Sequence, residues 1–346
     1  MNKTIKRILL AGLMGLTINV MALDLKPDAP SRYLVKKGDT LWGISEKFTD
    51  DPWQWPEIWH QNEQIENPHL IFPGDELGLI NVGGEKRLTV IKRGEASRTV
   101  KLQPSARIEP IESAIPAIPQ DAIRSFLRHN RIVTKQELKD SQRVLAGKDE
   151  RLLLGAGEHV YASADLEEDE VVPAYGIYRG GKQYIHPETK EVLGIEAIEI
   201  GQARTVKLHD NVLELIIDSS NQQIKSGDVL LPTQDRDFIA NYYPKAPTTD
   251  VKGSIMAVAE GVSYIGQYNV VALSVGLRDN VDVGTVLVAD KVGAIVRDPV
   301  TKKRVQLPNQ KAGRLMVFRT FEKMSYALVM SATEPLKVGD KVVSPY

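Results

Sequence analysis

Apolar residues change their spacing several times along this chain, and each change predicts an element. Leu41, Ile44, Ser45 and Phe48 recur at helical spacing behind a Gly38-Asp39-Thr40 turn, in which Asp39 or Thr40 is suited to cap the helix. Tyr33-Leu34-Val35, ahead of that turn, reads as a short strand. Asp51-Pro52 stops the helix, and a second helix is predicted from about Pro56 to Gln61 with Ile58 and Trp59 facing inward. Asn67-Pro68 and Pro73-Gly74-Asp75 are turn signatures around Leu70-Ile71-Phe72, and Glu76-Leu77-Gly78-Leu79 is the closing strand. The order over residues 33–79 is therefore βααβ.

Residues 82–103 alternate apolar and polar side chains and predict a small hairpin, while Pro104 to Pro119 is a proline-punctuated, extended connector. Asp121 to Arg128 and Lys135 to Ala146 are predicted helices, the second opened by Thr134 with Glu137 three residues on. The last part of the chain repeats itself. Gly201-Gln202-Ala203, Leu213 to Ile217 and Ile224 to Pro232 are matched in order by Ala312-Gly313-Arg314, Tyr326 to Met330 and Leu336 to Pro345. His186-Pro187-Glu188-Thr189-Lys190 and Asp298-Pro299-Val300-Thr301-Lys302 form a further pair upstream. Short β-rich runs with Gly-Asp turns predict two related lobes, sandwich-like or barrel-like. The expected fold class is α+β: a βααβ module, a segment over residues 82–149 of hairpin, connector and helices, and a mainly β region over 150–346.

The first 22 residues stand apart. Lys3, Lys6 and Arg7 precede an apolar run from Ile8 to Met21 that closes at Val20-Met21-Ala22, the pattern of a signal peptide cleaved after Ala22. The alternative is a membrane anchor or a buried helix, but the run falls short of the roughly 20 residues a spanning helix needs. Without residues 1–22, 41 cationic side chains face 45 acidic ones, since three of the 44 Lys and Arg are lost and no Asp or Glu. A mild net charge of -4 gives no footprint for nucleic acid, and no anchor is expected once the signal is removed. The chain has no cysteine, which excludes disulfides, thiol catalysis and a lipidated Cys.

All four tryptophans, Trp42, Trp53, Trp55 and Trp59, cluster in the βααβ stretch. Such clustering marks a compact module, and Tyr33 to Trp42, Ile58 to Asn62 and Asn67 to Asp75, in that order and spacing, make residues 33–79 resemble the LysM family. That resemblance implies a peptidoglycan-binding module whose groove runs between two loops. Carried onto this chain, the groove is lined by Gly38, Asp39, Thr40 and Leu41, facing Leu70, Ile71, Phe72 and Pro73. Gly38 would let the backbone approach the sugar, the helix start would present unpaired N–H groups, and Phe72 would offer a stacking face. The alternative is that Asp39 and Thr40 only cap and Ile71 only packs. Trp42 and Trp59 read as core; Trp53 and Trp55 either widen the groove or face a neighbouring domain.

Catalysis finds little support in the residue pattern. The six histidines form no His-x-His or His-Glu-x-x-His pair, so no metal centre is expected, and no cofactor. Glu167-Glu168-Asp169-Glu170 reads as a solvated loop rather than as a glycosidase pair. The C-terminal repeat resembles the C-terminal module of FlgT, and the whole layout resembles the TsaP family of type IV pilus secretin-associated proteins. Those resemblances imply a periplasmic, wall-associated protein, not an enzyme. Its partners would be peptidoglycan, through N-acetylglucosamine-containing glycan, and an outer-membrane secretin. The alternatives are a peptidoglycan hydrolase or its activator, and a general envelope-binding protein.

Overall fold

The computed structural model describes residues 25–58, 71–82, 85–94, 115–128, 130–148, 151, 153–233, 242–258 and 264–345. The expected signal peptide at 1–22, Trp59, Leu70 and connector residues 104–114 lie outside the described residues. Among those described, the molecule is mostly β, which overturns the α+β expectation. The α-helices among the described residues are short, from four to nine residues. The β region also contains a closed six-stranded barrel.

The N-terminal module begins with β1 (Arg32–Leu34), followed by α1 (Leu41–Ser45) and α2 (Trp55–Ile58). It continues into β2 (Glu76–Val82) and β3 (Glu85–Lys92). The three strands form one antiparallel sheet in the order β1-β2-β3. The hairpin expected after residue 82 therefore starts earlier: its first strand is the closing strand of the module, prolonged to Val82. Val35, Leu41, Ile44, Phe48, Trp55, Ile71, Leu77 and Leu88 make the core between sheet and helices.

Next come α3 (Gln120–Arg128), β4 (Asn130–Val133) and α4 (Lys135–Asp140). The expected capping box forms at α4, with the Thr134 hydroxyl accepting from Glu137 N–H and the Glu137 carboxylate accepting from Thr134 N–H. The helix ends six residues short of Ala146, because the chain turns at Ser141 and pairs as a strand instead. A local helical pattern yields there to a partner strand.

The first β lobe comprises β5 (Val144–Gly147), β6 (Leu153–Leu154), β7 (His159–Ser163), β8 (Ala174–Ile185) and β9 (Val192–His209). It is completed by β10 (Val212–Ser220), β11 (Ile224–Lys225) and β12 (Val229–Pro232). The main sheet runs β12-β8-β9-β10-β7-β5, with β4 added beside β9. Its two ends meet through an antiparallel bridge between Arg143 and Val229.

The second lobe holds β13 (Lys252–Val258), β14 (Val270–Leu273), β15 (Val286–Lys291), β16 (Ile295–Arg297) and β17 (Arg304–Gln306). It closes with β18 (Gln310–Thr320), β19 (Ser325–Ala332) and β20 (Lys341–Val343). The barrel order is β13-β14-β19-β18-β15-β20, which repeats the pairing order of the first lobe strand for strand. Hydrogen bonds repeat as well. Gly157 and Ile217 are joined as Tyr268 and Val329 are, and Val144 and Asp228 as Ile255 and Asp340.

Tertiary contact distinguishes the lobes. On β19, Ala327 and Val329 fill the barrel, while Tyr326, Leu328 and Met330 point outward into a second core. That second core gathers Trp42 and Trp53 of the N-terminal module, Ile123 and Phe126 of α3, and Tyr184 and Leu193 from the β8–β9 hairpin. A strand buried on both faces carries an unbroken apolar run. At the equivalent outward position of β10 stands Glu214, bonded to His159 and His209 at 3.0 Å each. The outer wall of β19 is thus apolar and covered by the N-terminal module, α3 and the hairpin, whereas on the first lobe the covered apolar patch is smaller and lies on β8, β9 and β12 under Val133 of β4 and Leu138 of α4. Ion pairs rim the contact: Glu191 on the hairpin meets Arg278 at 3.0 Å and Lys323 at 2.7 Å, and these two cations hold its carboxyl below the usual range. Arg314 of β18 meets Asp51 at 2.8 Å.

Candidate functional site

The two loops expected to line the groove are built from the same local device. At Gly38-Asp39 the Asp39 carboxylate accepts from Lys36 N–H at 2.8 Å, and at Gly74-Asp75 the Asp75 carboxylate accepts from Phe72 N–H at 3.0 Å. Both glycines take a left-handed φ, +91° and +92°, that a side chain would strain. An added Cβ on Gly38 would meet nothing within 4 Å, so the structure gives this glycine a conformational role.

Asp39 also accepts from the Tyr33 hydroxyl at 3.0 Å, and burial together with that carboxylate pushes the phenol up to about 12. Asp39 is thus committed to its turn, and Thr40 supplies the cap: its hydroxyl accepts from Gly43 N–H at 3.1 Å. Leu41 and Ile71 are buried in the module core, Thr40 is nearly so, and Phe72 and Pro73 are half-buried at the surface. Asp75 is fully buried and accepts from Arg93 at 2.7 Å and from Gly94 N–H at 2.9 Å as well as from Phe72.

The space between the two loops is taken by the chain itself. Ile115 N–H donates to the Ile71 carbonyl at 2.8 Å on one side. On the other side, Leu41 N–H donates to the Pro116 carbonyl at 3.0 Å and Trp42 N–H to the Ala117 carbonyl at 3.2 Å. The N–H groups expected to be open at the helix start therefore have partners. Ile115 and Ala117 join the module core, each 6% exposed, and Ile118 is fully buried beside Trp42 and Trp53. These three contact residues were not singled out in the sequence. Their signal was the apolar Ile-Pro-Ala-Ile-Pro run inside a connector that would otherwise be polar.

Trp53 and Trp55 are buried and settle the question their sequence left open by facing the second lobe. Trp53 lies in the shared core, and Trp55 stacks on Tyr243 with ring centroids 6.1 Å apart. Glu167 to Glu170 form a single turn in which Glu167, Asp169 and Glu170 are exposed.

Comparison with known proteins addresses this module. The relative "Uncharacterized protein YqbP" of Bacillus subtilis is 44% identical over 61 residues, which cover 15% of this chain and 28% of that protein. The chain thus spans little more than a quarter of the relative's length. Residues 33–78 match the family model described as "LysM domain", and so the two facing loops, with the helices and strands that hold them, belong to a LysM domain within this longer chain.

Proposed function

We propose that this protein binds peptidoglycan through the furrow between residues 38–41 and 71–73, and has no catalytic role of its own. The observation that carries the reading is the LysM match over residues 33–78, a family of glycan-binding modules. The local chemistry supports it. Backbone N–H groups of Leu41 and Trp42 meet carbonyl oxygens, the acceptor that an N-acetyl group presents, and the Ile71 carbonyl meets an N–H, the donor that the same group presents. The half-buried Phe72 ring supplies the apolar face for a sugar.

Purified intact protein sedimented with wall sacculi tests this. Soluble chitotetraose is expected to compete, and Phe72→Ala to weaken binding by about 3- to 10-fold. Failure of the full-length protein to sediment, or indifference to the competitor, would remove the glycan reading.

The finer reading is a periplasmic scaffold that ties an outer-membrane secretin ring to the wall. Support comes from the layout, a LysM domain followed by two β lobes and preceded by a secretion-type leader in the sequence, which resembles that of the TsaP family. The energetics favour an assembly, because many copies of a shallow groove on one ring gain roughly 10²- to 10⁴-fold in avidity over a single site. Cross-linking in cells followed by mass spectrometry is expected to recover a secretin. Recovery of other envelope proteins without it would leave a general wall-binding protein.

A further inference from the structure

We propose that residues 115–117 are a built-in competitor for the LysM furrow, so that glycan enters only when this strap leaves. The proposal rests on the reading of the furrow as the glycan site. Three backbone hydrogen bonds, at 2.8, 3.0 and 3.2 Å, attach the strap to both walls of the furrow at once. The strap presents successive carbonyl acceptors at 116 and 117 to the two N–H groups of Leu41 and Trp42. A bound N-acetyl sugar would need the same groups. The two occupants are mutually exclusive by hydrogen-bond count alone, since each N–H has one proton to donate.

Side-chain burial holds the strap in place without making it permanent. Ile115 and Ala117 fill space in the LysM core, and Ile118 fastens the next residue to the core shared by Trp42, Trp53 and the outer wall of the second lobe. An occupant that belongs to the same chain competes at a high effective concentration. Apparent glycan affinity is then reduced by the fraction of molecules whose furrow is open. A protein closed nine times in ten binds sugar about tenfold more weakly than its open form. The strap continues directly into α3, which packs on the second lobe, so the wall-binding module and the lobes are coupled through it.

The test compares full-length wild-type protein with Ile115→Asp, which places a carboxylate where 6% exposure excludes water, and with Pro116→Gly, which only loosens the strap. Chitotetraose is the probe, with amide hydrogen exchange read in the same samples. Ile115→Asp is expected to bind about tenfold tighter than wild type, and Pro116→Gly about 2- to 5-fold tighter. In wild type, saturating sugar is expected to speed exchange at the Ile115 amide while the Leu41 and Trp42 amides stay protected. Equal affinities in all three proteins, with Ile115 exchange unchanged by sugar, would overturn the strap and leave the glycan site standing. No binding by any of the three, folded and at saturating sugar, would remove the glycan site and the strap with it. Should Ile115→Asp fail to fold, Pro116→Gly and the exchange experiment decide alone.

Discussion

Tyr326→Ala is expected to destabilise the protein by about 3 to 5 kcal/mol and to uncouple the LysM domain from the second lobe. Tyr326 is 1% exposed and central to the core that joins the modules. Its ring stacks on Phe318 with centroids 6.4 Å apart and meets the edges or faces of Phe321 at 5.7 Å, Phe126 at 6.1 Å and Tyr184 at 6.1 Å. Those four rings come from β18, from the turn after it, from α3 and from the β8–β9 hairpin. Deleting the one ring they share leaves a cavity that no single element can close, and this puts the cost in the upper range for a large-to-small substitution. Tyr326→Phe isolates the hydroxyl, which bonds to that of Tyr184 at 3.0 Å in full burial; about 1 kcal/mol is expected for it.

Denaturant titration separates the outcomes, because every tryptophan lies between residues 42 and 59 and fluorescence therefore reports the LysM domain and its contact with the second lobe. Far-UV circular dichroism reports mainly the lobes. The two probes are expected to coincide in wild type, as one shared core implies, and to part in Tyr326→Ala with the fluorescence transition earlier. A loss under 1 kcal/mol with transitions that still coincide would show that Tyr326 is not what joins the modules.

Asp75→Ala is expected to cost about 2 to 4 kcal/mol and to abolish retention on sacculi together with the furrow's shape. The carboxylate is wholly buried and takes three donors: Arg93, Phe72 N–H and Gly94 N–H. Removal leaves two backbone N–H groups and one guanidinium without that acceptor. The Arg93 side chain is 35% exposed and can turn toward water, which holds the cost below that of a fully enclosed pair. The second effect follows from position. Phe72 and Ile71 stand on the loop that Asp75 ties down, and Asp75 N–H bonds back to the Phe72 carbonyl at 3.1 Å. Thermal unfolding gives the first quantity and sacculus sedimentation the second. Asp75→Asn, which keeps an acceptor but not the charge, is expected to fall between; an Asp75→Ala protein as stable as wild type would refute the assignment.

The same Gly-Asp device explains why one of the resemblances is not supported. Asp75, Asp228 and Asp340 each accept from the N–H three residues back, of Phe72, Lys225 and Lys337, at 3.0, 2.9 and 2.8 Å. Gly74, Gly227 and Gly339 donate in turn to Val35, Val144 and Ile255 on a neighbouring segment. The turn serves the LysM domain and both lobes alike. It marks a way of ending one strand and starting the next, so its recurrence carries no information about a FlgT-type module.

Local chemistry was readable from the residues alone. The Asp39–Lys36 and Asp75–Phe72 turn bonds, the Thr40 cap and the Thr134–Glu137 capping box each join atoms three residues apart, and the LysM spacing is an order of such local signals along the chain. Their hydrogen bonds form with little reference to the rest of the molecule. The fold class was not readable, because the short predicted helices counted equally with strands until pairing was known; Val144 to Ala146 left the expected helix only because β7 offered a ladder.

Which faces are covered was decided by the tertiary structure. Tyr326-Ala327-Leu328-Val329-Met330 announces a strand, but only the approach of Trp42, Phe126 and Tyr184 from distant parts of the chain gives its outer face a partner. The furrow shows the same division. Its walls belong to a sequence motif, whereas its occupant, Ile115 to Ala117, arrives from a separate segment beyond the domain. Burial is a relation between segments that the chain brings together at the end of folding, and no local pattern encodes the second member of such a pair.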